Sequence, residues 1–279
     1  MPPLPPTYGE TRGLALMEGL EDAGTLVFTA ADAVAVGKTR GMSPTQVHLL
    51  TSRLARAGWI RRIRRGLYAT TGKLPGSVAP HDYLVALALA TPSALSHRTA
   101  LHFHGLSDQV PREIICTTTA KVVTPSMRHR GKGESVWVVD GLRVQLVNVR
   151  PERFFGIADV WVDQRTKVAM TDKERTVLDL VADPARFGGF GEALSILEAH
   201  HGSLDLPRLV SYARRYGVAV VAKRLGWALE SFGVKGKVLA PLLAVPVKMV
   251  QPLDPRRTRV GPVIARWQLQ DNLAAPLMR

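Results

Sequence analysis

The side chains whose types and spacing could do chemistry are concentrated between residues 43 and 65. At 100 degrees per residue, Thr45, His48, Leu49, Ser52 and Arg56, with Arg53 at the margin, fall on one face of a helix. Hydroxyls, an imidazole and guanidiniums on one face can hydrogen-bond to base edges, and a leucine among them can meet a thymine methyl group. Ser43 and Gln46, at the start of the same helix, are counted with this set. Downstream, Arg61-Arg62-Ile63-Arg64-Arg65 brings four guanidiniums to one tight turn, a chemistry suited to phosphate oxygens. Residues 33 to 81 carry nine Lys or Arg and no Asp or Glu, whereas residues 1 to 32 carry one basic and five acidic side chains. A surface that only needs to be soluble mixes its signs.

The elements that must position these groups are legible. Thr29-x-x-Asp32 followed by an Ala-rich turn ending at Gly37 predicts a short capped helix. Ser43-Pro44-Thr45-Gln46 combines a capping hydroxyl, a proline at the first helical position and a glutamine three residues on, which predicts a second helix start. Val47, Leu50, Leu54 and Ala57 form its buried stripe, and Gly58 stops it. Trp59 to Ile63 and Leu67 to Ala69 then read as two strands around Arg64-Arg65-Gly66, and residues 12 to 23 as a preceding helix. Helix, turn, helix and basic hairpin make a winged helix-turn-helix, with the second helix expected in the major groove and the hairpin tip on phosphates or in the minor groove. A small helical domain with a solvated basic edge is the alternative.

Other constellations read as architecture. His97, His102 and His104 do not stack on one helical face, so no metal site is expected. Cys116 lies in an apolar β-branched run and reads as core; a single cysteine excludes an intramolecular disulfide and suits a reducing cytoplasm. A nucleotidyltransferase needs paired carboxylates after a Gly-Ser turn, but Gly202-Ser203 is followed by Asp205 alone. Asp163-Gln164-Arg165-Thr166-Lys167 has the wrong spacing for the Asp/Glu-x-Lys of a restriction-type nuclease, and neither a Walker loop nor a Gly-x-Ser-x-Gly elbow occurs. No enzyme and no cofactor is expected.

The 279 residues, 46% hydrophobic and 22% charged, suggest two globular domains. The net charge of +14 favours a polyanionic partner, and it is carried by residues 33 to 81 and by residues 200 to 279, with a neutral stretch between. No apolar run is long enough to span a bilayer, and Met1-Pro2-Pro3-Leu4-Pro5-Pro6 resembles a flexible tail rather than a signal peptide. A cytoplasmic protein without membrane contact is expected. Turn formers from Thr71 to Ser77 place the expected boundary near residue 75, giving a winged helix over 1–75 and a larger domain over 76–279. That larger domain reads as mixed α/β. Strand-like runs occupy 113–118, 136–139, 143–149 and 157–162; helices are expected at 82–90, 96–102, 175–182, 192–200, 206–216 and 220–232, with a last strand near 267–270. Thr171-Asp172-Lys173-Glu174 reads as a capping box, and Arg175 with Asp179 as an i, i+4 pair.

Four features stand in order along the chain: the winged helix; Ser96-His97-Arg98-Thr99-Ala100-Leu101-His102-Phe103-His104-Gly105-Leu106; Asp172-Lys173-Glu174-Arg175-Thr176-Val177-Leu178-Asp179-Leu180 followed by Pro184 and Gly188-Gly189; and Ala222-Lys223-Arg224-Leu225-Gly226-Trp227-Ala228-Leu229-Glu230. Together they resemble the AbiEi family of type IV antitoxins, over nearly the whole chain. The resemblance implies an α+β protein whose winged helix binds inverted repeats of double-stranded DNA in its own promoter. It also implies a C-terminal antitoxin domain that counters a nucleotidyltransferase-like toxin, functionally and without a stable complex. A basic antitoxin surface is expected from Arg214, Arg215, Lys223, Arg224, Arg256 and Arg257, although Arg215 and Arg224 could equally solvate helix faces. Two other readings stand beside this one: an RNA-binding protein working through its basic C-terminal third, and a metal-dependent nuclease.

Overall fold

The computed structural model describes residues 8–73, 77–123 and 136–277. The expected tail at Met1 to Pro6 and the expected boundary near residue 75 lie outside the described residues. The chain divides into two compact units, Met1–Thr91 and Pro92–Arg279.

In the first unit, three helices, α1 (Tyr8–Asp22), α2 (Ala30–Thr39) and α3 (Pro44–Arg56), surround a core that includes Leu16, Leu20, Phe28, Val47, Leu50 and Ile60. Both expected helix starts are capped in the reciprocal manner. Thr29 Oγ1 accepts from the Asp32 N–H (3.1 Å) while Asp32 Oδ2 accepts from the Thr29 N–H (2.8 Å). Ser43 Oγ accepts from the Gln46 N–H (3.3 Å) and Gln46 Oε1 from the Ser43 N–H (2.9 Å). A strand not expected from the sequence, β1 (Val27–Thr29), pairs antiparallel with β3 (Leu67–Thr70), which pairs antiparallel with β2 (Ile60–Arg64). The unit closes with α4 (Asp82–Ala88).

The second unit is built on a six-stranded mixed sheet. Its strands are β4 (Ser93–Leu95), β5 (Ile114–Thr118), β6 (Val136–Val139), β7 (Leu142–Asn148), β8 (Ile157–Trp161) and β9 (Lys167–Thr171), in the order β6-β7-β5-β4-β9-β8. The β5–β7 and β4–β9 pairs are parallel and the rest antiparallel. The Asp140-Gly141 turn joins β6 to β7, and both residues have positive φ (49° and 84°), the geometry that asks for Asp-Gly in a two-residue hairpin. Strands β4 and β9 are not expected from the sequence: Ser93-Ala94-Leu95 and Lys167 to Thr171 are short and poor in β-branched residues. They are strands because each has a partner on both edges.

A helical layer, α5 (His97–Phe103), α6 (Lys173–Ala182), α7 (Phe190–His200), α8 (Leu206–Tyr216), α9 (Ala219–Ser231) and the short α10 (Ala240–Leu243), shares one apolar core with the end of the chain. Helix α6 is central; every residue from Glu174 to Val181 is buried. Its start differs from the expected capping box. Thr171 belongs to β9, and Asp172 is the cap, its carboxylate accepting from the Arg175 N–H at 2.8 Å. Glu174 accepts instead from the Asp205 N–H, at 3.0 Å, and so joins α6 to the start of α8. The expected Arg175–Asp179 pair forms at 3.1 Å inside the core, with the guanidinium over the Phe155 and Tyr216 rings. Burial pushes Asp179 up to about 6 against the pull of Arg175.

His97 opens α5 with φ +53°, an uncommon conformation for a residue with a Cβ. Its Nδ1 lies 2.8 Å from Ser96 Oγ and its ring stacks on Phe187. Burial, with Arg186 and Arg175 nearby, pushes its pKa down from 6.5 to about 3, so the ring is neutral. Because the unfolded chain takes up the proton first, the stability this contributes is complete above pH 6.5 and is lost as pH falls towards 3. At pH 5 the loss is about 2 kcal/mol. His97→Asn keeps a residue tolerant of positive φ and cannot titrate. Urea unfolding at pH 7.5 and pH 5.0 is expected to show the variant losing about 2 kcal/mol less than the parent between the two pH values; parallel losses would mean that His97 does not titrate on unfolding.

Candidate nucleic-acid interface

The position of α3 is set by the contact beneath it. Gly37 in α2 lies so close to Val47 that a methyl group at position 37 would overlap the valine side chain. The two helices therefore approach at backbone range, and Val47, Leu50 and Thr51 turn inward, with Thr51 Oγ1 donating to the Val47 carbonyl at 2.8 Å. The opposite face stays out: Thr45, His48, Leu49, Ser52, Arg53 and Arg56 are all exposed, Leu49 at 50%. No side-chain partner occupies Thr45, His48, Ser52, Arg53 or Arg56 among the described residues. Ser43 and Gln46 are exposed as well, but their oxygens are committed to the cap, which leaves Gln46 its amide nitrogen for other work.

In β2, Ile60 and Ile63 are both buried although they stand three apart in a structure whose side chains alternate. A register shift between Arg62 and Arg64 allows this. The irregularity returns Ile63 to the core and leaves Arg62 and Arg64 exposed on either side of it. Arg65-Gly66 is the two-residue turn, with Arg64 opposite Leu67 and Gly66 at φ +75°. Arg61 is half-buried, whereas Arg62, Arg64 and Arg65 are exposed and make no ion pair among the described residues. Two acids of α1 are turned to another use: Asp22 (2.9 Å) and Glu18 (3.9 Å) pair with Arg40 at the end of α2.

The expected basic surface of the second unit is not brought together. Lys223 and Arg224 are 3% and 5% exposed, so neither belongs to a surface. Lys223 Nζ donates to the Leu243 carbonyl at 2.6 Å, and Arg224 donates through Nε and Nη2 to the Pro252 carbonyl, at 3.3 and 2.9 Å. Burial lowers both, Arg224 to about 10, which still leaves the guanidinium charged at neutral pH. They anchor the chain beyond α9. Gly226 and Glu230 do the same work. Trp267 packs where a Cβ on Gly226 would be, and Glu230 accepts from Trp267 Nε1 at 2.6 Å and from Arg266 Nε at 2.9 Å. Arg257 is half-buried, beside Asp254 at 3.4 Å and donating to the Ala275 carbonyl. Arg215 is exposed but lies over the Phe155 ring, 4.3 Å from its centroid. Arg214 and Arg256 are exposed with no side-chain partner among the described residues. Within that same set, no three His, Cys, Asp or Glu side chains converge as metal ligands do, and no helix is long and apolar enough to cross a membrane.

Three helices, the third capped and with an open polar face, and a hairpin tipped by arginines define a winged helix-turn-helix of the DNA-binding class. Residues 24–71 match the family described as "Transcriptional regulator, AbiEi antitoxin". The family is regulatory rather than enzymatic. No curated protein matches the chain in sequence. The fold is similar to that in "Crystal structure of RV2827C protein from Mycobacterium tuberculosis", with a TM-score of 0.58 and 18% identity over 93% of this chain and 90% of that one. At that identity the likeness is one of fold, and it spans both units.

Two binding measurements test the placement of these groups. Each neutralised phosphate contributes roughly −0.9 to the slope of log K against log salt, so replacing Arg64 and Arg65 by Ala is expected to flatten that slope by about 1 to 2. An unchanged slope would take the wing off the phosphates. Replacing Thr45, His48 or Ser52 by Ala is expected to lower the preference for operator over random duplex by on the order of 1 to 3 kcal/mol where a bidentate contact is lost. Equal losses on both duplexes would show that α3 is not the reader.

Proposed function

We propose that this DNA-binding antitoxin represses its own operon and counters a nucleotidyltransferase-like toxin encoded beside it. The observation that carries the repressor half is the open face of α3. Thr45, His48, Ser52, Arg53 and Arg56 have no side-chain partner among the described residues, and they share the module with three exposed wing arginines and with two acids paired to Arg40. In this reading α3 enters the major groove of an inverted repeat in the promoter, and Arg62, Arg64 and Arg65 hold the backbone.

The second unit is the antitoxin part of the proposal. With Lys223 and Arg224 committed to internal carbonyls, the exposed cations of the expected set reduce to Arg214, Arg215 and Arg256. The same two burials remove Lys223 and Arg224 from any RNA-binding surface across the C-terminal third.

Co-expression with the neighbouring toxin, scored beside a promoter reporter, tests both halves. The full chain is expected to rescue growth and silence the reporter. Replacing Arg64 and Arg65 by Ala should release the reporter by on the order of tenfold or more, given the loss of about two phosphate contacts, and leave rescue intact. Arg214→Glu combined with Arg256→Glu should do the reverse. If that doubly reversed protein rescues fully, exposed positive charge is not the means by which the toxin is countered.

A further inference from the structure

Two segments of the second unit that DNA binding does not explain meet at one place. Arg98 comes from the start of α5; Arg186 and Phe187 come from the turn after α6. Together with the loop leading into β5 they line a cavity of about 560 Å³, within the usual range for small-molecule sites.

The arginines there are held in place and left incomplete. Arg98 Nε donates to the Arg186 carbonyl at 2.6 Å. Arg186 donates through Nε to Asp183 Oδ2 at 2.7 Å and through Nη1 to Gln145 Oε1 at 3.0 Å. Both Nη groups of Arg98 and Nη2 of Arg186 have no acceptor among the described residues. Gly188, at φ +97°, leaves the end of Arg98 uncovered: a side chain there would sit 3.7 Å from Arg98 Nη2. A third cation, Arg112, is exposed at the same cavity. Of the two carboxylates in the lining, Glu113 is already paired with Arg143 at 2.7 Å, which leaves Glu192, with Asp183 behind Arg186, to offset three guanidiniums. Apolar side chains supply the other wall: Leu101, Ile115, Phe187 and Ile196.

Fixed guanidinium forks with free N–H groups match the geometry of a phosphate, and an apolar wall beside them matches a flat ring. We propose that this cavity binds a small phosphate-bearing ligand of nucleotide size, its phosphate on Arg98 and Arg186 and its base against Phe187 and Ile196. The site lies wholly within the second unit and requires neither DNA nor toxin, so its failure would leave the regulatory reading untouched.

Isothermal titration of the full-length protein with ATP, GTP, CTP, UTP and inorganic pyrophosphate tests it. At least one nucleotide is expected to bind more tightly than pyrophosphate. Arg98→Gln should weaken that binding roughly ten- to a hundredfold, the size of a lost charge-assisted pair of hydrogen bonds. Ile196→Trp, which fills the cavity and leaves every arginine in place, should abolish it. Replacing Arg64 and Arg65 by Ala should change nothing, which separates the cavity from the phosphate-attracting wing. The proposal is overturned if no nucleotide binds the folded protein, if pyrophosphate binds as tightly as the nucleotides, or if binding survives both cavity variants. Loss of binding in the wing variant alone would overturn it equally.

Discussion

The contact between Gly37 and Val47 is the constraint on which the DNA-binding unit depends. A helix pair held at backbone distance has one way to face its partner, and that choice decides which half of α3 is core and which half is available. The exposure of the hydroxyls on α3 is a consequence of it. Any side chain at position 37 larger than a hydrogen would push α3 away, and the polar face would lose its register with the hairpin before a single contacting residue had been altered.

A comparable economy governs the second unit, where charge is used to tie segments together. Arg175 and Asp179 are buried against aromatic rings, Arg224 against a backbone carbonyl and Phe190, Lys223 against a carbonyl and Trp267. Such groups repay their desolvation only when the geometry is complete, so each fixes the relation between two segments more strictly than an apolar contact would. The end of the chain shows the same principle: the Asn272 side chain accepts from the Asp254 N–H and donates to the carbonyls of Asp254, Arg257 and Thr258.

The parts of the fold that local chemistry dictates are legible in the sequence. Thr29 with Asp32 and Ser43 with Gln46 bond to neighbours three residues away, so the caps can be read without knowing anything distant. The strands rich in Val and Ile are equally plain. The elements that escape a sequence reading depend on partners far along the chain. Strand β9 exists because β4, more than seventy residues earlier, lies beside it at Leu95 and Met170. Thr171 looks like a cap until β9 claims it. Lys223 and Arg224 look like surface until the carbonyls of Leu243 and Pro252 are brought to them. At the candidate interface the face of α3 is visible from spacing, whereas the bulge that frees Arg62 and Arg64 is hinted at only by two isoleucines three apart. The arginine-lined cavity leaves no local signal, since Arg98 and Arg186 stand 88 positions apart.

The anchoring of α9 by the segment C-terminal to it orders events as the protein is made. The core cluster and the helix caps of the first unit are drawn from its own residues, so it can close as soon as they leave the ribosome, as domains generally do. The second cannot. Until Leu243 and Pro252 have emerged, two cations in the middle of a core helix have nothing to bond; until Trp267 arrives, Gly226 faces an empty slot. A nascent chain therefore presents a finished DNA-binding head while its other unit is still waiting for its last segments, and a ribosome that stalls late in the message would release a molecule whose head is complete and whose larger unit is not.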